Sequence, residues 1–255
     1  MAASNLSEDE NLFVSALKKF EGYSVNTNIQ KELRWSDERY DEVKTSLIEK
    51  GMISKARGRG GAVRLSSELS ELPSKKKKSV RETDLYKPML GILNSWLRNE
   101  IGYSERNFIS EVCGNKRHKG YGRWSQPDLI AAGYRSFQYL VPGKYLDIIS
   151  FEVKTANNFD MTGVYEAAAH LRYVNYSYLI INDEISSWNK EDLESLKNEC
   201  ERIGIGLIES IKPDDKECWE IHVKALFQTP DPQLADDFIR RNFSDKSLKQ
   251  IAELI

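Results

Sequence analysis

Leu12, Phe13, Ala16, Leu17 and Phe20 recur at helical spacing behind an acidic first turn, which predicts a helix over residues 9–20. A shorter helix is expected over 26–34, with Ile29 and Leu33 on one face. Ser36 then reads as the N-cap of a third helix, whose buried side is Tyr40, Val43, Leu47 and Ile48 and which ends at Gly51. Two short alternating segments, 52–56 and 62–65, flank the turn text RGRGG and predict a hairpin.

From 66 to 82 the pattern disappears into SSELSELPSKKKKSVRE, with four consecutive lysines at 75–78, the composition of an exposed linker. Beyond it, Leu85, Met89, Ile92, Leu93, Trp96 and Leu97 form the apolar stripe of a helix over 84–99. Strand-like stretches at 124–132, 145–155, 178–181, 205–211 and 219–226 then alternate with helical ones at 163–174 and 190–203, and helices run from 233 to the end. The expected fold class is α/β, an α+β arrangement with a mixed sheet. The expected parts are a helical and hairpin unit over 1–68, a basic linker over 69–82 and an α/β unit over 83–255.

Composition narrows this picture. The chain has 255 residues, 40% hydrophobic and 30% charged, with a formal net charge of −2, so affinity for a polyanion must come from local clusters of Lys and Arg. Cys113, Cys200 and Cys218 are far apart and form no C-x-x-C pair, which argues against a disulfide framework or a zinc ribbon. His118, His170 and His222 are too scattered to complete a zinc site with them, which leaves carboxylates as the expected metal ligands. The opening MAASNLSEDEN lacks the pattern of a secretory leader, no apolar run is long enough for a bilayer, and a cytoplasmic location is expected.

Candidate chemistry concentrates on two strands. Pro127 and Asp128 stand on one, and Phe151-Glu152-Val153-Lys154-Thr155 on the next, with 24 residues (152 − 128) between the acids. Strand alternation puts Glu152 and Lys154 on one face and turns Phe151 and Val153 to the other. Two carboxylates can hold hard divalent cations through oxygen, and a neighbouring ammonium can orient water or neutralise charge on a phosphate. This constellation resembles the PD-(D/E)XK nuclease superfamily, the restriction endonuclease-like fold. The resemblance implies Asp128 and Glu152 as Mg²⁺ ligands, with Mn²⁺ as a substitute, and Lys154 as the catalytic cation.

Other spellings of the motif fail on context. Glu42-Val43-Lys44 falls in a helix, where positions two apart diverge, and Pro213-Asp214 sits in the loop text PDDKE with no strand-borne E-x-K after it. Asp147 has the opposite alternation phase from Glu152 and reads as a turn or surface acid. Superfamily members often add an acid from the first helix or its exit. Glu111 is the candidate here, with a surface glutamate as the equal alternative, and Glu82 is the weaker choice. Glu166 and His170, one helical turn apart, read as a surface pair.

Basic residues supply the remaining candidates. Lys116, Arg117, Lys119 and Arg123 are interleaved with His118, Tyr121 and Trp124, a mixture suited to a phosphate backbone or an unstacked base. Three helices followed by a basic hairpin, and the text WSDERYDEVKTSLIEKGMISKARGRGGAVRL in particular, resemble winged helix-turn-helix domains. That resemblance implies DNA contacts from Ser36, Arg39, Lys44, Arg57 and Arg59, although Asp37, Glu38, Asp41 and Glu42 make the third helix acidic. The combined expectation is a restriction endonuclease-like core behind a small winged helix. It would act as a metal-dependent DNA endonuclease in restriction, phage defence or mobile-element processing. A symmetric homodimer and defence-system proteins are the candidate partners. Two alternatives stay open: a DNA-binding regulator or complex subunit with a non-catalytic nuclease-like domain, and a nuclease for RNA or single strands.

Overall fold

A computed structural model describes residues 6–56, 61–66, 81–114, 124, 126–137, 139, 143–155 and 159–254. The chain divides into two compact units, Met1–Ser79 and Val80–Ile255.

In the first unit, α1 (Glu8–Lys19) starts at a capping box in which Ser7 and Glu10 satisfy each other's backbone N–H groups. β1 (Tyr23–Val25) leads directly into α2 (Asn26–Leu33), and α3 (Asp37–Glu49) follows behind the Ser36 cap. β2 (Ile53–Ala56) and β3 (Ala62–Leu65) then form an antiparallel pair, and β1 joins it on the far side of β3. β1 was not expected, since three residues are too few to establish an alternation. Phe13, Leu17, Ile29, Tyr40, Leu47 and Val63 form the core, which collects the periodic residues of all three helices. Glu10 adds a buried polar anchor: its carboxylate takes Lys50 Nζ at 2.5 and 2.7 Å and Ser46 Oγ at 2.7 Å.

The second unit is a six-stranded mixed sheet with helices on both faces. Its first helix, α4 (Glu82–Ile92), continues through a π-helical turn at Leu93–Leu97 into the short α5 (Arg98–Glu100). The strands are β4 (Phe108–Val112), β5 (Leu129–Phe137), β6 (Gly143–Thr155), β7 (Tyr176–Asn182), β8 (Gly206–Ser210) and β9 (Trp219–Val223). They lie in the spatial order of the chain; β6, β7 and β8 are parallel and every other neighbouring pair is antiparallel. β4 was absent from the sequence reading, and β5 begins later than the stretch at 124–132 implied.

Alternation assigns the two faces. Leu129, Ala131, Ile149, Phe151 and Val153 pack with Leu85, Met89 and Leu93 of the α4 segment. The opposite face carries α6 (Met161–His170), α7 (Lys190–Ile203), α8 (Pro232–Asn242) and α9 (Asp245–Leu254). There Val164, Ala167 and Leu196 cover Leu179 and Ile181, while Phe238 and Ile251 cover Ile130 and Ile148. Among the described residues no helix is long and apolar enough to cross a membrane.

Asp147 departs from its expected place at the surface. It is 2% exposed within β6, takes both an Arg135 Nε bond at 2.5 Å and an Nη2 bond at 3.0 Å, and accepts the Tyr103 hydroxyl at 2.7 Å. Its phase is indeed opposite to that of Glu152, but a cross-strand arginine makes its burial tolerable.

Candidate active site

β5 and β6 place the paired acids. The Asp128 backbone extends their ladder: its N–H donates to the Phe151 carbonyl at 3.1 Å, and its carbonyl accepts from Cys113 and Gly114 N–H at 2.8 and 3.0 Å. Leu129 opposite Phe151 then sets Asp128 beside Glu152 at the same end of the sheet. The Asp128 carboxylate is held on both oxygens, by the Tyr86 hydroxyl on Oδ1 and by Val153 N–H on Oδ2 at 2.8 Å.

Lys154 follows Glu152 on the same face and donates to its Oε1 at 2.8 Å. The second partner of the ammonium is Glu166 Oε2 at 2.6 Å, from α6. Gly163 permits this approach, because a Cβ there would lie 3.2 Å from Lys154 Cγ. Glu166 was expected at the surface with His170, and neither is found so. His170 is fully buried, neither ring nitrogen has a hydrogen-bond partner among the described residues, and burial holds its pKa down at about 4.

The electrostatics show an excess of negative charge in a dry place. Burial lifts the Asp128 carboxyl to about 6, against the opposing pull of the Tyr86 and Val153 donors and of Lys154. Burial and the neighbouring Asp128 charge raise Glu152 well above the usual carboxylate range. Lys154 moves the other way: burial opposes its charge, but Glu152 and Glu166 outweigh that and keep it an ammonium. Glu82 also acts on Asp128 and Lys154. Four carboxylates (Asp128, Glu152, Glu166, Glu82) against one lysine leave a deficit of three positive charges when all are ionised, an arrangement that suits a divalent cation.

Asp128, Glu152 and Lys154 are therefore brought together. Glu111 is not with them; its carboxylate takes Ser244 N–H at 3.0 Å together with the Ser244 and Ser247 hydroxyls, and so braces Ser244, whose own Oγ caps α9 by accepting Ser247 N–H at 3.3 Å. Tyr86 and Glu166 are the members that sequence reasoning missed or misplaced. Tyr86 lies four residues after Glu82 on α4, so both reach the same side, but an aromatic within an apolar stripe reads as core.

The described nucleic-acid candidates of the first unit, Ser36, Arg39 and Lys44, are engaged within it. Arg39 forms a two-pronged pair with Asp9, at 2.9 and 2.6 Å, above the Trp35 ring. Lys44 pairs with Asp41 at 2.6 Å and lies over Tyr40, and Ser36 Oγ accepts Arg39 N–H at 3.4 Å as the cap of α3. Arg57, Arg59, Lys116, Arg117 and Arg123 lie outside the described residues, as do the lysines at 75–78.

No protein-family model matches the chain, and neither does any curated protein. Among solved structures the chain is similar to SPO1766, a protein of unknown function from Silicibacter pomeroyi, with a TM-score of 0.38 and 12% identity. That similarity covers 69% of this chain and 92% of the other.

Proposed function

We propose that the unit from Val80 onward is a PD-(D/E)XK-type, metal-dependent nuclease that hydrolyses DNA phosphodiester bonds, and that the first unit is a winged helix that engages the duplex. The observation carrying this reading is the convergence of Asp128, Glu152 and Lys154 at one end of the β5–β6 pair, buried and with both carboxyls raised. Perturbed titratable groups concentrated at one place are a mark of functional sites.

Asp128 and Glu152 are the residues that would hold Mg²⁺ or Mn²⁺. Such an ion, when bound, supplies Lewis-acid stabilisation of phosphate charge and acidifies water. Lys154 brings a positive charge that Glu152 and Glu166 fix in direction, so that little reorganisation is needed as charge grows on a phosphate oxygen. Tyr86 and Val153 N–H orient Asp128 from the α4 side. The three cysteines are free and buried, which fits a reducing cytoplasm as the working location.

Incubation with supercoiled plasmid, linear duplex, single-stranded DNA and RNA, each with Mg²⁺ or with EDTA, tests this reading. Duplex DNA cut only with Mg²⁺ is the expected result; cleavage of RNA alone would move the substrate class. Inertness toward every polymer would favour a binding protein on a nuclease-like scaffold.

A further inference from the structure

At the other edge of the same sheet, β8 and β9 gather three side chains of metal-ligand type. Glu209 stands directly opposite Glu220 in the antiparallel register, and His222 follows on β9. One ligand atom from each lies within 4.8 Å of the others. Glu209 is 2% exposed; it accepts Ser186 N–H at 3.2 Å and Ser186 Oγ at 2.8 Å, and its Oε2 is 2.7 Å from His222 Nε2.

The charge arrangement is costly as it stands. Like charges directly opposed across an antiparallel pair repel, and a buried carboxylate requires a counter-charge. Among the described residues the Glu209 carboxylate meets the His222 ring, and neither Glu209 nor Glu220 pairs with a lysine or arginine. Two carboxylates with a neutral imidazole carry a charge of −2, and with an imidazolium −1, so a cation deficit persists in either state.

We propose that Glu209, Glu220 and His222 form a binding site for a divalent transition-metal ion, with zinc as the ion of choice. The imidazole nitrogen turns preference away from Mg²⁺ and Ca²⁺, which favour all-oxygen shells, toward Zn²⁺ and its neighbours. With bonds of about 2.0–2.2 Å, tetrahedral zinc ligands lie roughly 3.4 Å apart. His222 Nε2 and Glu209 Oε2 need to part by less than about 1 Å from their 2.7 Å contact. The ion takes the place of the hydrogen between them. Ser186 orients Glu209 from behind, and zinc would clamp the last strand to its neighbour.

The site is separate from the acids on β5 and β6. Lys154, Ile181 and Glu209 are successive register partners across β6, β7 and β8. Two steps of about 4.8 Å put their strand positions roughly 10 Å apart, well beyond the ~4 Å of a two-metal centre. The site would add an imidazole to ligands expected to be carboxylates alone: strand pairing joins His222 to Glu209, 13 positions apart (222 − 209).

The test uses the full chain carrying Asp128→Asn and Glu152→Gln, which silences the other acidic cluster, stripped with chelator and titrated calorimetrically with Zn²⁺. One equivalent should bind, and adding Glu220→Gln or His222→Gln should weaken it at least ~10-fold. Glu220 is exposed, so its variant decides even where the histidine variant fails to fold. Absence of saturable zinc binding, or affinity unchanged by Glu220→Gln, overturns the proposal without touching the nuclease reading, which the Mg²⁺-dependent cleavage assay judges on the unsubstituted protein.

Discussion

The Tyr86 hydroxyl donates a hydrogen bond to Asp128 Oδ1 across 42 residues of chain, tying the first helix of the second unit to the acid that begins β5. Tyr86→Phe removes that donor and leaves a buried carboxylate oxygen unsatisfied. The expected cost is about 1–3 kcal/mol, read by denaturant unfolding. Because the Tyr86 bond lowers the Asp128 pKa, the variant should also titrate Asp128 above its value of about 6, visible in carboxyl carbon NMR.

Asp128 gives a pH dependence of defined sign. Its carboxyl is raised from 3.8 to about 6 on folding, so the folded chain holds the proton more tightly than the unfolded one. The associated stability is fully present below about 3.8 and is lost as pH rises through about 6. In chelator, the melting temperature should contain a component that declines over this window and that is absent in Asp128→Asn. A flat profile in both proteins would show that the acid is not raised.

Glu10 in the first unit runs the opposite way. Lys50, Ser46 and the Ser7 N–H hold its carboxyl at about 2, below the ordinary glutamate value of 4.5. Its stabilising contribution is present above about 4.5 and disappears as pH falls toward about 2. Glu10→Gln should destabilise at pH 7 and converge with the parent protein near pH 2, in difference melts of the two chains.

Gly114 leaves no room for a side chain. A Cβ there would sit 2.6 Å from Tyr86 Cε2 and 2.7 Å from Asp128 Oδ1. Gly114→Ala should push the tyrosine and the carboxylate apart, at a cost of about 1–3 kcal/mol in stability. Cleavage by the variant should fall at least ~10-fold while the circular dichroism spectrum stays folded, as expected when a catalytic group is displaced by about 1 Å.

The legible part of the site was the part written in local alternation. Glu152 and Lys154 share a face because they are two apart on a strand, and β6 presents them so. Relationships set by packing were not legible. Glu166 looks like a solvated helix acid until α6 is laid over Lys154, where Gly163 lets the lysine stem pass. Asp147 was read as a surface acid although its phase is that of the buried Ile149, Phe151 and Val153, and only the hairpin register reveals Arg135 beside it. His222 and Glu209 illustrate the same limit, since a metal-type cluster drawn from two strands has no spacing rule within one chain.

Nicking of supercoiled plasmid by the unsubstituted protein, Asp128→Asn and Lys154→Met, each verified as folded and assayed with Mg²⁺ and with EDTA, tests the central claim most directly. The account predicts Mg²⁺-dependent nicking by the parent chain, abolished by EDTA and reduced at least ~100-fold in each variant, through loss of a metal ligand in Asp128→Asn and of the cation that stabilises the transition state in Lys154→Met. Cleavage that survives both substitutions, or a parent protein that leaves the plasmid intact with Mg²⁺ and with Mn²⁺, would contradict it.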